Sequence, residues 1–305
     1  MSLTSKLTGA TRALNRMTAS QEQALIRNYQ TALSTIRGKL ATAFERYDGS
    51  FVEMQRYNRL TNLEKAIGKE IGTLTGKNAV NLKTGIGQQF AESYYRTGYA
   101  FETEVLARLG FGQLDQRVIE AAIQNPLDRV GFLQRNRDNQ ARLTRQLREQ
   151  LTQGLIQGES YQQTARRIKE RMDVGAENVL RIARTENHRA QSQGRIRGLG
   201  QVEDKGVEFD RIWDATLDDA TRETHQDMDG QKADEDGLFD LDGNMVEGPG
   251  LTGDPAEDIN CRCSIRAEIV GYGPEVRRAR EVEGERGELV KYKTYQEWEK
   301  ARIGR

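Results

Sequence analysis

VEFDRIWDAT, residues 207–216, is where the texture of this 305-residue chain changes. Val207, Phe209 and Ile212 are separated by charged side chains, with Trp213 beside them, which is the alternation of a strand with one buried face. NCRCSIRAEIV, residues 260–270, alternates in the same way. Cys261, Cys263 and Ile265 fall on one face, and Arg262, Ser264 and Arg266 on the other. Upstream the apolar period is that of helices. The expected class is therefore α+β: an extended, mainly α-helical N-terminal region followed by a small α+β domain with short antiparallel strands.

In the helical part, Leu25, Tyr29, Ala32, Ile36, Leu40, Ala43 and Tyr47 recur at alternating spacings of three and four. Ser20 with Gln23 reads as the capping box that opens this helix. A second stripe, Leu60, Leu63, Ile67, Ile71 and Leu74, is expected to end near Gly76. GIGQQFAESYYRTGYAFETEVLARLG (85–110) gives another helix. RDNQARLTRQLREQLTQGLIQG (137–158) gives a further one, with Leu143, Leu147, Leu151 and Leu155 stepping by four. The stretch 158–200 reads as two or three helices broken near Gly158, Gly175 and Gly194. Stripes this narrow suit helix-to-helix or subunit contacts. The chain from about 274 is charged and weakly patterned, with a short helix near Tyr295 and Trp298. The expected divisions are thus 1–175, a helical assembly region; 176–272, the α+β domain; and 273–305, a charged tail.

Charge supports a division into parts with different partners. The net charge is zero, yet residues 1–175 hold 26 Lys and Arg against 17 Asp and Glu, and residues 203–258 hold 19 acidic against 4 basic side chains. No apolar run approaches the length of a membrane span. The opening MSLTSKLTGATRALNRM lacks the apolar core of a signal peptide, so a reducing cytoplasm is expected. The two cysteines, one residue apart, cannot staple a fold of this size.

HQDMDGQKADEDGLFDLDGN, residues 225–244, packs three Asp-X-Asp-Gly units that end at Gly230, Gly237 and Gly243. An EF-hand loop needs glycine at its sixth position, whereas here it stands fourth, so tight turns are the better reading. His188, His225, Cys261 and Cys263 are all the histidine and cysteine of the chain. Cys-X-Cys in a strand points both sulfurs one way, where they can share a zinc ion with a histidine, which makes His225, Cys261 and Cys263 candidate ligands. Structural zinc knuckles use a wider cysteine spacing, and two small buried thiols with His225 hydrogen-bonded at a helix end is the competing reading. Gly-X-Ser-X-Gly, Walker and paired-histidine signatures are missing from the sequence. His225 with Asp214 and Asp218 imitates a hydrolase or nuclease site, against the plainer reading of an acidic surface. Arg135, Arg137, Arg142, Arg145 and Arg148 crowd one helix, and Arg166, Arg167, Lys169 and Arg171 another. Such clusters suit non-specific contact with double-stranded DNA, against the plainer reading of a solvated face.

The order of pieces in the second half carries a resemblance. ARTENHRAQSQG (183–194) is followed by RIWDATLDDATRETH (211–225), HQDMDG, LFDLDGN (238–244), GDPAEDI (253–259) and NCRC (260–263). This series, over roughly residues 150–270, resembles the phage Mu F-like head morphogenesis family, minor head proteins of tailed bacteriophages. The resemblance marks Arg184, Glu186, Trp213, Asn260 and Arg262 as a structural motif and places hairpin turns at the Asp-Gly units. It implies a non-enzymatic protein without a cofactor, zinc apart, that is made in the host cytoplasm and kept in the virion, in the head interior near the portal. The implied partners are the portal protein and the major capsid or scaffold protein, and the implied work is capsid assembly and DNA packaging or ejection. The alternatives are a metal-dependent nuclease or effector enzyme using His225, Cys261 and Cys263, or a non-specific DNA-binding protein.

Overall fold

A computed structural model describes residues 2–47, 50–55, 58–124, 130–270 and 294–304. Helices α1 (Leu3–Tyr47), α2 (Phe51–Gln55), α3 (Arg59–Val105), α4 (Gln116–Gln124), α5 (Phe132–Ile156) and α6 (Tyr161–Glu203) come first. Then follow β1 (Phe209–Asp214), α7 (Glu223–Asp227), β2 (Phe239–Leu241), β3 (Asn244–Val246), α8 (Pro255–Asp258), β4 (Ser264–Ile269) and α9 (Tyr295–Ile303). The class is α+β, as the sequence predicts. No helix among the described residues is long and apolar enough to cross a membrane.

The helices run longer than their punctuation suggests. α1 begins at Leu3, so Ser20 and Gln23 lie in its interior and cap nothing. α3 joins the Leu60–Leu74 stripe to the GIGQQF segment and passes through Gly76. α6 passes through Gly175 and Gly194, while Gly158, at φ +67°, does end a helix. Two glycines of α6 are there for packing. A Cβ on Gly194 would sit 2.2 Å from the Phe90 carbonyl oxygen and 2.9 Å from Ser93 Cβ, and one on Gly198 would sit 2.8 Å from Thr97 Cβ. The backbones of α3 and α6 touch here, and only glycine leaves the room.

Contacts sort the described residues into two compact units, and α1, α3 and α6 each contribute to both. The helical unit comprises Ala19–Thr84 and Arg129–Ala183. The stripes from Leu25 to Ala43, Leu60 to Leu74 and Leu143 to Leu155 are all buried in it. Asn139 Nδ2 donates to the Tyr29 hydroxyl (3.1 Å) and to the Gly175 carbonyl (2.9 Å), which ties α1, α5 and α6 at one level.

The strand-bearing unit comprises Met1–Thr18, Gly85–Asp128 and Arg184–Arg305. These units follow long-range contacts, whereas the divisions at 175 and 272 read from composition follow the chain. β1 pairs antiparallel with β4, setting Trp213 opposite Ile265 and Asp214 opposite Ser264. β2 and β3 form a hairpin whose turn, Asp242–Gly243, has φ of +50° and +83°, the geometry that the right-handed strand twist favours. Trp213, Phe239, Ile265 and Ala267 share one core with Leu3 and Leu7 of α1, Tyr95 and Phe101 of α3, and Leu199 of α6. The first residues of the chain therefore belong with its strands. The expected short helix near Tyr295 and Trp298 is α9. Buried Trp298 donates from Nε1 to Glu102 Oε2 (2.7 Å), and Arg302 Nε reaches the same oxygen (3.1 Å). The rest of the expected tail, 273–293, lies outside the described residues.

Gly194→Ala tests the helix contact. Alanine raises helix propensity by about 1 kcal/mol, yet overpacking at this contact is expected to cost about 1–3 kcal/mol or more. Gly200→Ala, on the same helix with nothing within 4 Å of the added methyl, is the control. Denaturant midpoints should fall for the first and hold or rise for the second.

Candidate functional site

Thr185, Arg189 and Ser192 lie four and three residues apart, so they share one face of α6. All three are buried against the loop that leads into NCRC. Arg189 Nη1 donates to the Gly250 carbonyl (3.0 Å) and to Asp258 Oδ2 (3.1 Å), and Ser192 Oγ donates to the Pro249 carbonyl (2.6 Å). The fully buried Asp258 carboxylate also accepts from the Gly253 amide (3.2 Å), the Thr252 amide (3.0 Å) and the Thr252 hydroxyl (2.9 Å). Asp254 caps α8 by accepting from the Ala256 amide (2.8 Å), with Pro255 at the first helical position. Asn260 then takes a left-handed φ of +58° and donates its amide to Thr185 Oγ1 (3.3 Å). That turn sends Cys261 and Cys263 inward, at 4% and 2% exposure.

His225 meets them from α7. Its Nδ1 lies 3.6 Å from Cys261 Sγ and 3.5 Å from Cys263 Sγ. Its Nε2 lies 2.9 Å from Glu257 Oε2, off the direction of a good hydrogen bond, and Thr224 Oγ1 donates to that same oxygen at 3.1 Å. The ring packs edge-on against Trp213, with centroids 5.5 Å apart and planes at 76°. Arg222 donates to the Ile259 carbonyl (2.7 Å), holding α7 to the NCRC loop, and Thr216 Oγ1 fastens the segment before it to the Arg262 carbonyl (2.9 Å). The Cys261 thiol hydrogen-bonds to Cys263, which draws the Cys263 thiol well below its ordinary value, helped by the nearby His225, and pushes Cys261 up. Burial pulls His188 down to about 4, with Cys263 and His225 close enough for their charges to act on it.

The predicted residues divide cleanly. His225, Cys261 and Cys263 come together, but the two cysteines precede β4 in a loop and do not stand within a strand as the alternation suggests. The turn at Asn260, which alternation cannot reveal, is the reason. Trp213 and Glu186 are buried, while Arg184 is exposed on α6. Arg262 points outward and grips Asp218 with two 2.5 Å bonds, which hold that carboxyl down to about 2. Asp218 is thus committed, and Asp214 accepts from Ser264 Oγ (3.1 Å), so the carboxylate beside His225 is Glu257. The Asp-Gly units are turns. Gly230, Gly237 and Gly243 have φ near +80°, and Asp234 and Asp240 cap their own loops by accepting from Leu238 and Gly243 amides at 2.8 and 2.7 Å. Arg135, Arg137, Arg142, Arg145 and Arg148 all lie on α5 in the helical unit; Arg135 is half-buried and the other four are exposed. Sequence reasoning misses Arg189, Asp258 and Glu257, although Asp254-Pro255 announces a capped helix there and the 185–189–192 spacing marks a polar face.

Comparison with known proteins follows the same stretch. Residues 145–266 match the family described as Phage Mu protein F like protein. The chain is 30% identical over 292 residues to Minor head protein GP7 of Bacillus phage SPP1, covering 94% of each chain. It is 29% identical over 276 residues to an NAD(+)-arginine ADP-ribosyltransferase, EFV, of Enterococcus faecalis, covering 90% of this chain and 56% of that enzyme. No solved structure matches the chain.

The Arg189–Asp258 pair should behave as a buried ion pair. Arg189→Met strands a carboxylate away from water and is expected to cost about 3–5 kcal/mol in chemical denaturation. A double-mutant cycle with Asp258→Asn should return a coupling of about 1 kcal/mol or more. Additive single-variant losses would show that the two residues act independently.

Proposed function

Because this chain belongs to the phage Mu F-like head morphogenesis family, we infer that it is a minor head protein of a tailed bacteriophage. The observation that carries this reading is the identity to Minor head protein GP7, which runs through 94% of both chains. The match to the ADP-ribosyltransferase spans 56% of that enzyme, so a large part of it has no counterpart in this chain, whereas the head protein is matched almost throughout. Burial points the same way. The thiols of the NCRC loop, Cys261 and Cys263, are turned inward and buried together with His225.

In the finer reading the chain engages the portal, with the major capsid or scaffold protein as a further contact. It resides in the head interior and takes part in capsid assembly and DNA packaging or ejection. Non-specific contact with packaged DNA falls to α5. Arg137, Arg142, Arg145 and Arg148 are exposed there, and Arg145 approaches Glu149 only to 3.9 Å. On α6, by contrast, Arg166, Arg167 and Lys169 are each engaged by a carboxylate at 3.3 Å or less. Phosphate contact through α5 needs no sequence readout.

Two measurements check this. Co-expressed with the portal, scaffold and major capsid proteins of its own genome, the tagged chain should co-purify with the portal and be protected from protease inside procapsids. Exclusion from purified heads, or arginine ADP-ribosylation above background with added NAD+, would overturn the reading. DNA affinity of the isolated chain should fall roughly tenfold or more between about 50 and 200 mM salt, and substituting Arg142, Arg145 and Arg148 by Gln should flatten that slope. Salt-insensitive or strongly sequence-selective binding would overturn the non-specific, electrostatic contact.

A further inference from the structure

We propose that His225 Nδ1, Cys261 Sγ and Cys263 Sγ bind one zinc ion, with a water molecule in the fourth position. The distances fit. Tetrahedral zinc with ordinary Zn–S and Zn–N lengths sets a sulfur and a nitrogen ligand about 3.6 Å apart. The two sulfur-to-Nδ1 distances here are 3.6 and 3.5 Å. The three ligand atoms all lie within 4.8 Å of one another, and among the described residues no fourth histidine, cysteine or carboxylate joins that group.

The ring orientation fits as well. Nδ1 faces both sulfurs, and Nε2 lies 2.9 Å from Glu257 Oε2, off the line of a good hydrogen bond, with that oxygen held by the Thr224 hydroxyl. A ligating imidazole with its far nitrogen beside a carboxylate is the usual support of a zinc histidine, because it fixes the tautomer and strengthens the donor. Trp213 packs against the ring and the Asn260 turn holds the loop, so little reorganisation is left for the ion to drive. Scarcity adds weight. The chain has two histidines and two cysteines, and three of these four converge in one buried cluster. Two thiolates and an imidazole select a borderline-soft ion over calcium or magnesium. Binding releases the thiol protons to solvent.

The competing reading of the same atoms is a Cys263–His225–Glu257 nucleophile. Cys263 is 2% exposed, which leaves a substrate no approach. The proposal stands apart from the head-protein reading, since zinc is measured on the isolated full-length chain.

The chain, purified without a chelating tag from zinc-supplemented cells, should carry about one zinc per molecule by elemental analysis. Cys261→Ser, Cys263→Ser and His225→Gln should each reduce this at least tenfold. Should those variants fail to fold, the unmodified chain still decides the matter. Cobalt in place of zinc should give a thiolate-to-cobalt charge-transfer band and the visible absorption of a four-coordinate ion, and a strong chelator should lower the melting temperature and expose both thiols to iodoacetamide. Substoichiometric metal after zinc addition, together with a melting temperature unmoved by chelator, would overturn the proposal. So would rapid alkylation of Cys263 in the folded chain at a rate indifferent to zinc.

Discussion

A guanidinium and a carboxylate drawn out of water hold the strand-bearing unit in register. Burying either ion alone would cost several kcal/mol, and their attraction offsets that only when the remaining donors and acceptors are also satisfied. Asp258 meets the condition through Arg189, the Thr252 amide and hydroxyl, and the Gly253 amide, while Arg189 meets it in part, its Nε being left without a hydrogen-bond partner. Arg189 makes a second bond to the Gly250 carbonyl, in a turn where a side chain at 250 would strike the His188 ring. One ion pair thus fastens the loop from 249 to 258 to α6. That loop in turn sets Glu257, Asn260 and both cysteines, and through them the place that His225 occupies.

The long helices are specified by polar groups and missing side chains as much as by their apolar stripes. Leucine stripes slide past one another at little cost, while a buried amide has few ways to find its partners. Gln89 bonds the Leu14 carbonyl and Gln191, and Ser93 bonds the Gln191 carbonyl, so α1, α3 and α6 have one polar level in common in the strand-bearing unit. Asn139, Tyr29 and Gly175 do the same in the helical unit. The glycines at 194 and 198 let α6 approach α3 at backbone distance, and Arg195 between them reaches the Ile265 carbonyl (2.6 Å) in β4.

Local chemistry is legible in the sequence and long-range chemistry is not. The first period-two stretch holds β1 and the second holds β4, the Asp-Gly pairs are left-handed turns, and the apolar stripes are buried helix faces, since each depends on neighbours a few residues away. Scarcity narrows the metal candidates to two histidines and two cysteines, of which His225, Cys261 and Cys263 converge. Gly76, Gly175 and Gly194 look like breaks because glycine is a poor helix former on its own; at 175 and 194 the partner helices crowd the space that a side chain would fill. Ser20 resembles a cap, yet packing carries α1 upstream through that position to Leu3. Glu257 stands beside His225 where the sequence suggests Asp214 and Asp218, because Ser264 and Arg262 claim those two.

The membership of the strand-bearing unit bears on the order in which the chain can be made. Arg195 donates to the Leu7 carbonyl across 188 residues, and Trp298 to Glu102 across 196. A ribosome delivers Leu3 and Leu7 long before the strands that cover them, whereas every segment of the helical unit exists once Ala183 has emerged. Contacts of such sequence separation slow folding and leave apolar surface uncovered in the interval. Synthesis therefore passes through a stage in which every segment of the helical unit is present while the other unit still lacks β1, β4 and α9.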